Sequence, residues 1–195
     1  MTEPVVEQHP LIPFLPAAGR LLMLGSFPPQ QKRWCMDFYY PNFTNDMWRV
    51  MGLVFFGDAL HFVDTSRKVF HKEEIVSFLI EKGIGIYDTA CVVRRLQDNA
   101  SDKFLEVVQP TDIESLLRRM PQCRSIVTTG QKATDTLCQY FNIVQPSMGA
   151  YTEFQIAQFP DSKFRLYRMP STSRAYPLSL VKKAEAYARM FAEIL

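Results

Sequence analysis

The sequence predicts a single α/β domain, a three-layer α/β/α sandwich around a mostly parallel central sheet. Three observations predict it. The chain has 195 residues, 47% of them hydrophobic, enough for one well-buried core and too few for two ordinary domains. Apolar runs of strand length alternate with segments of helical period, the order expected of a parallel sheet with crossover helices. No internal repeat, low-complexity tract or interdomain linker breaks that alternation.

Residues 1–18 form an N-terminal extension to which the sequence assigns no element. Leu21 to Leu24 is an unbroken apolar run and reads as a buried strand ending at Gly25. Ile75, Phe78 and Leu79 make the apolar stripe of a helix, and Ile84 to Tyr87 is the second strand. Thr111 followed by Glu114 has the spacing of a capping box and predicts a helix opening there. Ser125 to Thr128 is the third strand, and Lys132 to Phe141 is a helix following Gly130. Phe154 to Ala157 is a weaker strand candidate, and Phe164 to Met169 a firmer one. Pro177 fits the first turn of the last helix, on which Leu180, Ala184, Tyr187, Ala188 and Phe191 share a face.

Charge is nearly balanced, with 22 Lys and Arg against 20 Asp and Glu and a net +2. The distribution is uneven: residues 162–195 hold seven basic and two acidic side chains, a local +5 that leaves −3 for the rest. Such an end suits either a phosphate-facing surface or a solvated helix face. Cys35, Cys91, Cys123 and Cys138 are widely spaced and form no C-x-x-C pair, and His9, His61 and His71 are the only histidines. That pattern suggests neither a zinc nor an iron-sulphur site. The start of the chain shows no basic segment followed by an apolar run, and no apolar stretch approaches the ~20 residues of a membrane span. The expectation is free thiols in a reducing cytoplasm.

The densest chemistry lies between residues 25 and 48. Gly25-Ser26-Phe27-Pro28-Pro29 makes a turn after the first strand, and Tyr39-Tyr40-Pro41-Asn42-Phe43-Thr44-Asn45-Asp46-Met47-Trp48 mixes aromatic rings with carboxamides. Rings and amides together suit a flat ligand with a hydrogen-bonding edge, such as a nucleobase. Open α/β sheets bind ligands beyond the carboxyl ends of their strands. Gly25 to Pro29, Asp88-Thr89, Thr129-Gly130 and Pro170-Ser171-Thr172-Ser173-Arg174-Ala175 each follow a predicted strand, so four loops converge on one rim. Each loop singly also reads as an ordinary turn. Asn45 likewise has two readings, as a cap for a helix beginning at Asp46 or as a functional amide. Trp48 reads as core.

These residues carry a resemblance. Gly25-Ser26-Phe27-Pro28-Pro29, Tyr39-Tyr40 ahead of Asn45-Asp46-Met47-Trp48, and Pro170-Ser171-Thr172-Ser173 occur in the order and spacing of the uracil-DNA glycosylase superfamily, nearest its hypoxanthine-DNA glycosylase and mismatch-specific branches. Gly83 to Asp88, and Asp102 through Leu105, Pro110 and Asp112, resemble the same branch. The resemblance implies a monofunctional glycosylase that flips a deaminated or mismatched base from DNA and hydrolyses its N-glycosidic bond in base excision repair. It further implies a monomer that needs no metal or redox cofactor. Asn45 would be catalytic; Gly25, Ser26, Phe27, Pro28, Tyr39, Tyr40, Asp88 and Thr129 would line the base pocket; Ser171, Thr172, Ser173 and Arg174 would meet DNA. Asp88 and Asp102 are alternative water-activating carboxylates, with loop capping as the plainer reading of each. No lysine in the matched motifs is placed as a Schiff-base nucleophile. Three departures stand out: Thr44 where relatives carry Arg, Arg174 where they carry Pro, and Thr129 where they often carry Asn. Two rival readings remain open, a nucleic-acid-binding module with catalysis lost and a hydrolase of free nucleosides or nucleotides.

Overall fold

Strands in the middle of a parallel sheet are buried on both faces and rich in apolar residues, and three short runs in this chain fit that position. In the computed structural model, which describes residues 5–97 and 102–195, these runs become the centre of the fold. The elements in chain order are β1 (Val6–Gln8), β2 (Leu21–Gly25), α1 (Met47–Phe56), β3 (Val63–Asp64), β4 (Val69–Phe70), α2 (Lys72–Lys82) and β5 (Ile84–Asp88). There follow β6 (Ala90–Arg95), β7 (Leu105–Pro110), α3 (Ile113–Arg118), β8 (Ser125–Thr129), α4 (Gln131–Phe141), β9 (Tyr151–Gln155), β10 (Lys163–Met169) and α5 (Leu180–Ile194). Every residue of β2, β5 and β8 is buried.

The main sheet has the order β5-β2-β8-β10-β9. β5, β2, β8 and β10 run parallel, and β9 is antiparallel to β10 at one edge. Register pairs Gly25 with Asp88, Leu24 with Thr128 and Met169 with Thr129. The carboxyl ends of all four parallel strands therefore lie side by side. Helix α2 packs against β5, α4 against β8, α5 against β10, and α1 against α5.

Sequence periodicity missed a second, antiparallel sheet of order β1-β6-β7. Strand β6 begins two residues after β5 ends, with only Thr89 between them, so no turn residue marks the boundary. The extension at residues 5–18 is ordered by this sheet and by the main one. β1 pairs with β6, His9 N–H donates to the Cys91 carbonyl, and Phe14 exchanges two main-chain hydrogen bonds with Ile86 on the outer edge of β5.

Three element ends differ from expectation. The predicted strand at Phe154 to Ala157 is β9, which starts three residues earlier because hairpin pairing with β10 sets Tyr151 opposite Tyr167. The capping box at Thr111 and Glu114 does not form. Asp112 caps α3 by accepting from Ser115 N–H at 2.9 Å, while Thr111 donates to the Asp88 carbonyl and Glu114 accepts from the Tyr140 hydroxyl. Pro177 lies ahead of α5, whose first turn is capped by the Ser179 hydroxyl accepting from Lys182 N–H. The buried face of α5 is Lys183, Ala184, Tyr187, Met190 and Phe191, so it takes in Lys183 and Met190 where the sequence reading placed Leu180 and Ala188. Trp48 is fully buried, as predicted, and its indole N–H donates to the Tyr39 carbonyl at 3.1 Å. All four cysteines are free thiols.

Candidate active site

The rim at the carboxyl ends of the strands assembles most of the predicted pocket. Gly25 and Asp88 are register neighbours, and the absence of a side chain at Gly25 is what admits Asp88. A Cβ built on Gly25 would collide with Asp88 Oδ1 and lie 3.4 Å from the Tyr40 hydroxyl. Tyr40 in turn shares a 2.8 Å hydrogen bond with the Thr129 hydroxyl. Its φ of +50° is left-handed, an unusual conformation for a bulky residue that the surrounding contacts must hold. Burial, and then the nearby Asp88 carboxylate, raise the Tyr40 phenol well above its ordinary pKa, so it remains a neutral hydrogen-bonding group.

The Gly25 to Pro29 loop contributes through Ser26, Phe27 and Pro28, all buried. Ser26 Oγ donates to Asp102 Oδ2 at 2.8 Å. Asp102 is an exposed residue whose carboxyl turns toward this hydroxyl. Desolvation and then the Asp88 charge push that carboxyl above its ordinary range, against the lowering effect of the Ser26 bond. Asp88 and Asp102 thus both turn into the rim, one toward His9 and the other toward Ser26, rather than serving only as caps of their own loops.

One member of the site was invisible to the sequence reading. His9, from the N-terminal extension, places Nε2 2.8 Å from Asp88 Oδ2, with both side chains almost fully buried. Its ring packs edge-on to Phe27 at 5.1 Å and lies 4.4 Å from Tyr87. The Leu11 N–H and carbonyl both approach Nδ1, at 3.1 and 2.9 Å. An imidazole protonated on Nε2 donates to Asp88 and accepts from Leu11 N–H, whereas an imidazolium donates at both ends. A histidine in a proline-rich segment gives no periodic signal, which is why it escaped notice. Tyr39 sits behind this layer: it is buried, and its hydroxyl donates to the Ile12 carbonyl at 2.7 Å.

Asn45 caps α1. Its Oδ1 accepts from Met47 N–H at 2.9 Å; since that partner is a donor, the facing atom must be the amide oxygen. The amide NH2 makes no hydrogen bond to the described residues and remains available. The turn is fixed by buried Arg49, whose guanidinium donates to the Phe43 and Asn45 carbonyls at 2.8 and 3.0 Å.

The loop after β10 closes the rim. Ser171 packs over Gly130, where an added Cβ would lie 3.3 Å from the Ser171 Cβ and where φ of +97° itself favours glycine. Asp46 N–H donates to the Thr172 carbonyl at 2.8 Å, joining this loop to the residue after Asn45. Thr172 is buried, while Ser173 and Arg174 are exposed. Arg174 Nη2 pairs with Asp46 Oδ1 at 3.1 Å, and buried Lys183 pairs with Asp46 Oδ2 at 3.0 Å. Lys183 shares the stripe of α5 that faces the core, four residues before Tyr187; a lysine on that stripe was the available signal.

Chemically, the rim brings together two carboxylates, of Asp88 and Asp102, three hydroxyls, of Ser26, Tyr40 and Thr129, and one free carboxamide donor at the start of the adjoining helix. Among the described residues no group of three or more His, Cys, Asp or Glu side chains is gathered to hold a metal ion, and no helix is long and apolar enough to cross a membrane.

No family model matches the chain, and no curated protein matches it. Twenty-four solved chains do match. One is the solution NMR structure of a "putative Uracil DNA glycosylase" from Methanosarcina acetivorans, similar over 96% of this chain and 99% of that one, with a TM-score of 0.60 and 20% sequence identity. The shared property at this identity is the fold: a mixed α/β domain with a mainly parallel sheet.

Proposed function

We propose that the protein is a monofunctional DNA glycosylase of the uracil-DNA glycosylase superfamily, with helices layered on both faces of its sheet. It would rotate a deaminated or mismatched base out of DNA and hydrolyse the N-glycosidic bond. The observation that carries this reading is the convergence of Gly25, Ser26, Tyr40, Asp88 and Thr129 at the strand ends, with the free Asn45 amide on the adjoining helix.

Departure of a base leaves positive charge on the sugar and negative charge on the base, so fixed donors near the base oxygen stabilise the transition state. Asn45 fills that role as a donor, because its oxygen is already engaged with Met47 N–H. Its amide takes no proton from water; Asp88 and Asp102 are the acceptors available to orient one. Phe27 and Tyr40 flank the extruded base, while Ser171, Ser173 and Arg174 meet the backbone. The protein acts in this reading as a cytoplasmic monomer without metal or redox cofactor.

The test is strand cleavage by alkali of labelled duplexes carrying one uracil, one hypoxanthine or one G·T mismatch. Alkali-dependent product is expected, falling about 10²–10³-fold in Asn45→Ala, the size of losing one transition-state donor. Product formed without alkali overturns the monofunctional assignment. A second reading, a recognition module of the same fold, is favoured by one observation: Tyr40 already occupies the Thr129 hydroxyl, which weakens it as a reader of the base edge. Salt-sensitive duplex binding without product on any substrate would select that reading.

A further inference from the structure

A lysine that is 1% exposed has no role in binding solvent-borne phosphate directly, yet Lys183 makes the contacts that shape the candidate DNA loop. Its Nζ donates to Asp46 Oδ2 at 3.0 Å and to the Ser173 carbonyl at 2.8 Å. The same loop is held by the Tyr187 hydroxyl donating to the Pro170 carbonyl at 2.9 Å and by Asp46 N–H donating to the Thr172 carbonyl at 2.8 Å. Three loop carbonyls, those of Pro170, Thr172 and Ser173, are thereby drawn toward α1 and α5. Asp46 receives Lys183 on one oxygen and Arg174 on the other. It also directly follows Asn45 in the chain.

We propose that the buried Lys183–Asp46 pair is the positioning device of the site, locking the 170–175 loop to the amino end of the helix that presents Asn45. Grip on the duplex and presentation of the Asn45 amide are then set together by one ion pair. Arg174, 57% exposed at its side chain, is the mobile member: it can leave Asp46 for a phosphate because Lys183 keeps the carboxylate compensated. This inference rests on the glycosylase reading for its consequence, but not for the lock itself.

Three variants test it: Lys183→Met, the charge-neutral pair Asp46→Asn/Lys183→Met, and Arg174→Ala. The double variant leaves no unpaired buried charge and guards against a single change that merely unfolds the chain. Three readouts apply: binding to a duplex with a stable abasic-site analogue as a function of salt, amide exchange of residues 171–174 with β8 as the internal control, and the single-turnover rate. In the double variant, exchange in the loop is expected to accelerate at least about tenfold with β8 unchanged. Duplex affinity is expected to fall roughly tenfold, a typical size for coupled sites. The logarithmic salt slope should stay the same, because Lys183 touches no phosphate. Arg174→Ala should instead reduce that slope by about one. The single-turnover rate at saturating enzyme should fall in the double variant as well, since Asn45 loses its fixed neighbour. A reduced salt slope in the Lys183 variants would overturn the proposal by making Lys183 a phosphate ligand. Unchanged exchange and unchanged affinity would overturn it by making the pair a core filler. A wild-type protein that binds no duplex would overturn the glycosylase reading while the exchange readout still decides the lock.

Discussion

Gly25 is the residue on which the pocket depends most directly. It is small because Asp88 Oδ1 occupies the space a Cβ would need, and Asp88 cannot retreat because His9 holds its other oxygen at 2.8 Å. Overpacking of this kind costs typically about 1–3 kcal/mol. Gly25→Ala is therefore expected to lower the unfolding free energy measured in denaturant by that amount and, on the proposed reading, to reduce base excision. Adding His9→Ala frees Asp88 to swing, so the double variant should recover part of the stability that Gly25→Ala loses. Additive losses in the two variants would show that His9 does not restrain Asp88. At this scale the sequence revealed the residue types in the matched motifs but not their commitments. Asn45 carries both of its readings in a local contact, to Met47 two residues on, but that Thr129 would be spent on Tyr40 depends on residues 89 positions apart, which no local pattern records.

Among the elements, legibility follows burial. The three strands buried on both faces stand out by the apolar residues at their centres, and their observed limits differ from the predicted ones by a residue. β6 and β7 present partly exposed faces and have no punctuating turn before β6, so their alternation was too weak to register. β1 is three residues long and is made a strand by its partner. Helix ends fared differently because caps are chosen by tertiary competition. Thr111 had the spacing of a cap, yet its hydroxyl is drawn to the Asp88 carbonyl at 2.7 Å, leaving Asp112 to close the first turn of α3. Asp112→Ala is accordingly expected to cost about 1 kcal/mol in urea unfolding, the usual size of a lost N-cap. Glu114→Gln should cost less, since the carboxamide oxygen still accepts from Tyr140. A larger loss at Glu114 than at Asp112 would restore the capping-box reading.

For the molecule as a whole, the extension at residues 5–18 is what unites the two sheets with the site. It pairs with β6 at Val6–Gln8, delivers His9 to Asp88, and lays Phe14 along the outer edge of β5. An uncovered edge strand presents main-chain donors and acceptors that invite pairing with another chain. The extension therefore has two separable roles, covering an edge and equipping a pocket. A chain lacking residues 1–14 loses both, whereas His9→Ala in the full chain loses only the second. The shortened chain is expected to unfold at a lower temperature and to associate increasingly with concentration in light scattering, while His9→Ala keeps the size of the parent protein and, on the proposed reading, excises base more slowly. If the shortened chain stays the size expected for one copy and unfolds at the parent temperature, the main-chain bonds of Phe14 to Ile86 contribute nothing to closing that edge. The hold of the extension, His9 included, would then add nothing measurable to stability, and on the proposed reading any loss of excision in the shortened chain would have to be matched by His9→Ala alone.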